Sequence, residues 1–133
     1  MEILISGVYE HEFRSHVESV LIKHGFDHSC VYSKNRVDAQ KIIDSQEVDL
    51  MFLGGTEDLR YEDRDDRYES GRKLARSNAN IPSIMLVYPM YETEWLQQSH
   101  PPNLTLTFSE FEGLKKESLE LILSGENGKI RNF

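Results

Sequence analysis

The side chains able to do chemistry are few and scattered. The soft donors are His11, His16, His24, His28, His100 and the single cysteine, Cys30. Of these only His28 and Cys30 fall close together, two apart on one face of an extended segment. Two donors are short of the three or four that zinc takes, so Cys30 reads as a small buried residue. Asp63, Asp65 and Asp66 are hard oxygen donors in a run dense in both charge signs. Their spacing is not that of a calcium loop, and a solvated surface is the simpler reading. Gly7, Gly54 and Gly55 follow apolar runs and could turn backbone amides toward an anion. Neither G-x-G-x-x-G nor G-x-x-x-x-G-K is present, and tight turns account better for these glycines. No serine, histidine and aspartate can be paired into a nucleophilic triad from the sequence.

The elements that must position these groups alternate between short apolar runs and helical patterns, which is the sequence form of a parallel sheet covered by helices. A strand is predicted over Glu2 to Ser6. A helix over Glu12 to His24 follows, with Phe13, Val17, Val20 and Leu21 on one face and Gly25 placed to end it in a left-handed conformation. His28 to Tyr32 is a second strand, and Asn35 to Ser45 a second helix with Val37, Ala39, Ile42 and Ile43 turned inward. Val48 to Leu53 is almost wholly apolar, as a central strand buried on both faces should be, and Gly54-Gly55 ends it.

Thr56 to Ser70 is a long charged loop, or its second half extends the helix predicted over Gly71 to Ser77. Ile84 to Tyr88 is the fourth strand, closed by Pro89. A helix over Tyr91 to Gln98 is stopped by Pro101-Pro102, and Leu104 to Phe108 is the fifth strand. Ser109 and Glu112 have capping-box spacing before a final helix, Glu110 to Leu123. Residues 124–133 read as a polar tail or linker after a domain spanning 1–123.

A chain of 133 residues suits one domain, and its 38% hydrophobic content is that of a folding sequence. The net charge of −8 argues against a nucleic-acid or anionic-membrane surface, which is built from clustered Lys and Arg. A lone cysteine gives no disulfide scaffold, and no apolar run reaches the roughly 20 residues that span a bilayer. A soluble cytoplasmic protein is expected.

The stretches FRSHVESVLIKHGF, VDAQKIIDSQEVDLMFL and GRKLARSNANIPSIMLVYP, in this order, resemble response-regulator receiver domains across nearly the whole chain. The resemblance implies a flavodoxin-like α/β fold, a three-layer sandwich around a five-stranded parallel sheet in the order 2-1-3-4-5 with five helices. A working receiver also needs a nucleophilic Asp, further acids to hold a divalent cation, a hydroxyl and a lysine at the C-terminal edge of its sheet. Here the metal acids would fall at Gly7 and Val8, and the phosphoacceptor at Gly54 in the frame Asp49-Leu50-Met51-Phe52-Leu53. The hydroxyl would fall at Val87, and the lysine at Phe108 within Thr107-Phe108-Ser109. Every one of these positions departs from the family's pattern.

The implied protein is a pseudo-receiver, a signalling module that meets a protein partner, or a second copy of itself, without being phosphorylated. No enzyme activity, cofactor or metal is expected. In receivers the partner face lies around the fourth strand, fourth helix, fifth strand and last helix, where this chain has Tyr88, Tyr91, Trp95, Phe108 and Phe111; Asp63, Asp65 and Asp66 offer an acidic alternative. Aromatic residues are favoured at interface hot spots, though they also cover core edges. The rival from another class is a small flavodoxin-like enzyme or a nucleotide or anion binder, using the crevice around Gly7, Val8, Gly54, Gly55 and Thr56.

Overall fold

A computed structural model describes residues 1–7, 10–26, 28–33, 35–54, 69–87 and 104–124, with the side chains of 10–13, 69, 70 and 87 excepted. Its strands are β1 (Glu2–Ser6), β2 (Ser29–Ser33), β3 (Leu50–Leu53), β4 (Ser83–Val87) and β5 (Leu104–Thr107). All neighbours pair in parallel, in the order β2-β1-β3-β4-β5. The expected sheet is therefore present with its strand order. Its helices are α1 (Glu10–Lys23), α2 (Arg36–Ser45), α3 (Glu69–Ser77), α4 (Phe108–Glu112) and α5 (Lys116–Leu123).

The strict alternation of side chains along a strand divides the core into two layers. Ile3, Ile5, Phe52, Ile84, Leu86 and Leu106 face one side, where Val17, Val20 and Leu21 of α1 and Phe111, Leu119 and Ile122 of α4 and α5 cover them. Leu4, Met51, Leu53 and Met85 face the other, under Ala39 of α2 and Leu74 and Ala75 of α3. Each strand of the sheet's centre is thus buried twice, and β3 accordingly contains only apolar residues, all buried. Phe52 and Phe111 meet with ring centroids 5.3 Å apart at 58°, a tilted contact that joins the middle strand to α4.

Local chemistry sets the element ends. Gly25 has φ +73° and the Phe26 amide donates to the Leu21 carbonyl at 3.0 Å, so α1 closes on the left-handed glycine that the sequence called for. Asn35 is the N-cap of α2, its side chain accepting from the Asp38 amide at 2.9 Å. Val37, expected inward, is 59% exposed and corrects that assignment; Ala39 is the buried residue of this helix.

The largest departure is at the C-terminal helix. Thr107, not Ser109, is the cap: its Oγ1 accepts from the Glu110 amide at 3.1 Å and Glu110 Oε1 accepts from the Thr107 amide at 2.9 Å. Phe108 therefore begins a helix and does not end β5. The expected continuous helix is two, separated at Gly113 and restarted after Lys115, whose backbone is extended (ψ 157°). This break lets Phe111 and Leu114 enter the core before α5 sets Leu119 and Ile122 into it. The predicted helix at Tyr91 to Gln98, most of the charged loop and the tail beyond 124 lie outside the described residues.

Candidate functional site

Parallel sheets with this winding place ligands beyond the carboxyl ends of their strands. The register shows which residues stand there. Ser6 pairs with Leu53, the Gly54 amide donates to the Ser6 carbonyl at 2.9 Å, and the Gly7 amide donates to the Ser33 carbonyl at 3.1 Å. Gly7 and Gly54 are neighbours, each one residue past its strand, while Val87 ends β4 opposite Thr107, with Phe108 next. The structure thus brings Gly7, Gly54, Val87 and Phe108 to one edge, whereas Val8, Gly55 and Thr56 lie outside the described residues.

Two hydroxyls at these strand ends, those of Ser33 and Thr107, are committed to structure. Ser33 Oγ donates to the Asn35 carbonyl at 2.6 Å, and Thr107 caps α4. Gly54 is buried. Helix α3 packs closely here: a Cβ on Gly71 would lie 3.0 Å from Met85 Cε, 3.5 Å from Leu53 Cβ and 3.8 Å from the Gly54 carbonyl oxygen. Gly71 thereby allows α3 to approach the end of β3 closely.

Among the proposed partner-facing residues, Phe111 is fully buried against Phe52 and belongs to the core, which corrects its assignment to a surface. Phe108 is half-buried and touches the His16 ring at 5.0 Å, where His16 Nδ1 also lies 2.6 Å from Glu112 Oε1. Tyr88, Tyr91, Trp95, Asp63, Asp65 and Asp66 lie outside the described residues.

A second cluster of polar groups sits on the outer strand, β2. His28, Cys30 and Tyr32 share one face of the extended chain, and Glu18 reaches them from α1. Ligand atoms of Glu18, His28 and Cys30 all lie within 4.8 Å of one another. The Tyr32 hydroxyl donates to Glu18 Oε1 at 2.5 Å, and the Arg14 guanidinium lies 4.5 Å from the Tyr32 ring centroid. Burial, and then the Glu18 charge, push the Cys30 thiol up to about 11. Burial and the bond to Glu18 likewise hold the Tyr32 phenol above its usual range. Glu18 was the residue sequence reasoning missed. Its signal was faint: one acid beside Val17 on the inward side of the helix, ten positions before His28.

No protein-family model matches this chain, and no curated protein matches it in sequence. Solved structures do. The chain is similar to a two-component response regulator of the LuxR family from Aurantimonas, at TM-score 0.65 and 13% identity over 93% of this chain and 85% of that one. A two-component transcriptional regulator, AraC, from Clostridium phytofermentans matches at TM-score 0.60 and 13% identity, over 96% and 98% of the two chains. A response regulator receiver domain protein from Clostridium thermocellum matches at 0.57 and 10%, over 96% and 95%. The chain has the receiver fold.

Proposed function

We propose that this chain is a receiver-fold signalling module that acts by binding a protein partner and does not take up a phosphoryl group. One observation supports the reading: β3 is followed by Gly54, a buried glycine hydrogen-bonded to β1 with Gly7 beside it, and in the frame of that strand this is the residue we assign to the phosphoacceptor position. Acyl-phosphate formation needs a carboxylate nucleophile and a cation to neutralise the incoming charge, and glycines supply neither. The hydroxyl of Thr107 is occupied as a helix cap. Output then comes from partner concentration, self-association or another ligand that prefers one conformation.

The surface we assign to the partner is the aromatic group Tyr88, Tyr91, Trp95 and Phe108, with the acidic run at Asp63, Asp65 and Asp66 as the alternative. The net charge of −8 favours a basic or mixed-charge partner over nucleic acid. No helix among the described residues is long and apolar enough to cross a membrane. Incubating the protein with magnesium and a small phosphodonor, then measuring its intact mass, tests the reading. An unmodified mass is expected, and a phosphoryl adduct that base or hydroxylamine removes, as from an acyl phosphate, overturns it. Reversing the charges of Asp63, Asp65 and Asp66 together without loss of partner binding removes the acidic surface and leaves the aromatic one.

A further inference from the structure

The cluster on β2 has the donor composition of a metal site, with its donor atoms within 4.8 Å of one another. We propose that Glu18, His28 and Cys30 bind one borderline-soft divalent cation of the zinc class, through a carboxylate oxygen, an imidazole nitrogen and a thiolate sulfur. This site is remote in role and position from the C-terminal edge where receivers hold magnesium, and it does not depend on the reading above.

Three arguments carry it. The first is the donor set, because thiolate, imidazole and carboxylate together select zinc-like ions over magnesium or calcium, and three protein ligands with one open position make a complete tetrahedral site. The second is convergence. The donor atoms come from two elements, α1 and β2 with its leading residue, yet lie within 4.8 Å of one another, so one ion reaches all three with small side-chain movements.

The third is support behind the ligands. His28 Nδ1 is 2.9 Å from the Phe26 carbonyl oxygen, which can only accept. The proton is therefore on Nδ1 and the lone pair on Nε2, the arrangement that holds a metal-binding imidazole in one tautomer. Tyr32 donates to Glu18 Oε1 and so fixes the carboxylate. Binding replaces the thiol proton: the S–H bond breaks, the proton leaves to solvent and the sulfur pair forms the metal bond. The cation opposing the metal is Arg14, whose Nε lies 3.9 Å from Glu18 Oε2.

Cobalt(II) tests this on the full reduced chain, since it replaces zinc and its thiolate complexes absorb in the near ultraviolet, with visible bands that report tetrahedral geometry. One equivalent is expected to give a saturating thiolate band that zinc then bleaches. Cys30→Ser should abolish the band, and His28→Ala or Glu18→Gln should weaken binding by about a hundredfold, since loss of groups behind a ligand alone costs about 10- to 100-fold. Tyr32→Phe should cost about tenfold by the same reasoning, and Arg14→Gln should tighten binding. His16→Ala, a half-exposed histidine on the same helix, should leave cobalt binding unchanged. Glu18→Gln keeps the size of the side chain, so the test survives if Cys30→Ser fails to fold. Absence of a thiolate band at one equivalent overturns the proposal, as does a band equally strong in His28→Ala and Glu18→Gln, which would mark a lone reactive cysteine.

Discussion

Two margins of the same sheet have taken opposite courses. At the C-terminal margin, where parallel sheets commonly do their chemistry, the described residues are Gly7, Gly54 and a capping threonine, with α3 packed closely on β3 and β4. At the lateral margin, along β2, the chain gathers a carboxylate, an imidazole, a thiol and a phenol, the last two also packed against the edge of the core. The lesson is that a scaffold's customary site and its reactive side chains are separable. The same five strands position both, and only the residue types say which margin carries reactive groups.

Substitutions at the C-terminal margin should therefore act on stability. Phe111→Ala removes a fully buried ring that packs on Phe52 and should cost about 3–5 kcal/mol in denaturant unfolding. Phe108→Ala, at a half-buried position, should cost less than half as much; equal losses would put both rings in the core and weaken the surface assigned to Phe108. Gly71→Val should cost about 1–3 kcal/mol by overpacking α3 against Leu53 and Met85. Gly71→Ala should cost less, because the nearest atom, Met85 Cε, is the tip of a flexible chain and alanine favours the helix.

The lateral margin should show itself in pH and reactivity. With the native Cys30 thiol at about 11 against an ordinary value of 9.0, the unfolded chain gives up its proton first as pH rises. Stability is thus fully present below about pH 9 and falls between 9 and 11, and Tyr32 adds a loss of the same sign at higher pH. Cys30→Ala should flatten the first part of that fall in unfolding measured across this range. At pH 8 the metal-free thiol should react with a disulfide reagent about a hundredfold more slowly than free cysteine, following its smaller thiolate fraction. A rate equal to free cysteine would mean that Glu18 and burial do not govern it. Smallest of all, Glu112→Gln should cost under about 1 kcal/mol, because its pair with His16 is half-exposed and screened by salt.

The fold was legible where one rule acted alone. Apolar runs such as Leu50–Leu53 marked central strands, and Gly25 and Asn35 marked helix ends, because each needs only its own backbone conformation or side chain. The last helix misled because periodicity carries through Gly113, whereas the actual start is fixed by Thr107 and Glu110, with the cap at Thr107 and not at Ser109 as the sequence suggested. Phe111 was misplaced because of its type: an aromatic beside Phe108 suits an interface, but its spacing of three from Leu114 puts it on the inward face, where it packs on Phe52. At the C-terminal margin, the ends of β1 and β3, just before Gly7 and Gly54, followed from where the apolar runs stop. The proximity of Glu18 to Cys30 did not, since it depends on how α1 crosses β2, a tertiary relation with no local spacing.

The most direct test of the account is a two-dimensional amide NMR titration with magnesium and beryllofluoride, which imitates a phosphoryl group on a carboxylate. The account predicts no saturable shifts at Gly7, Gly54 or Val87 beyond those that salt alone produces. Saturable shifts confined to those residues would contradict it, showing that a substitute acid has rebuilt the phosphoryl site at the margin assigned here to packing.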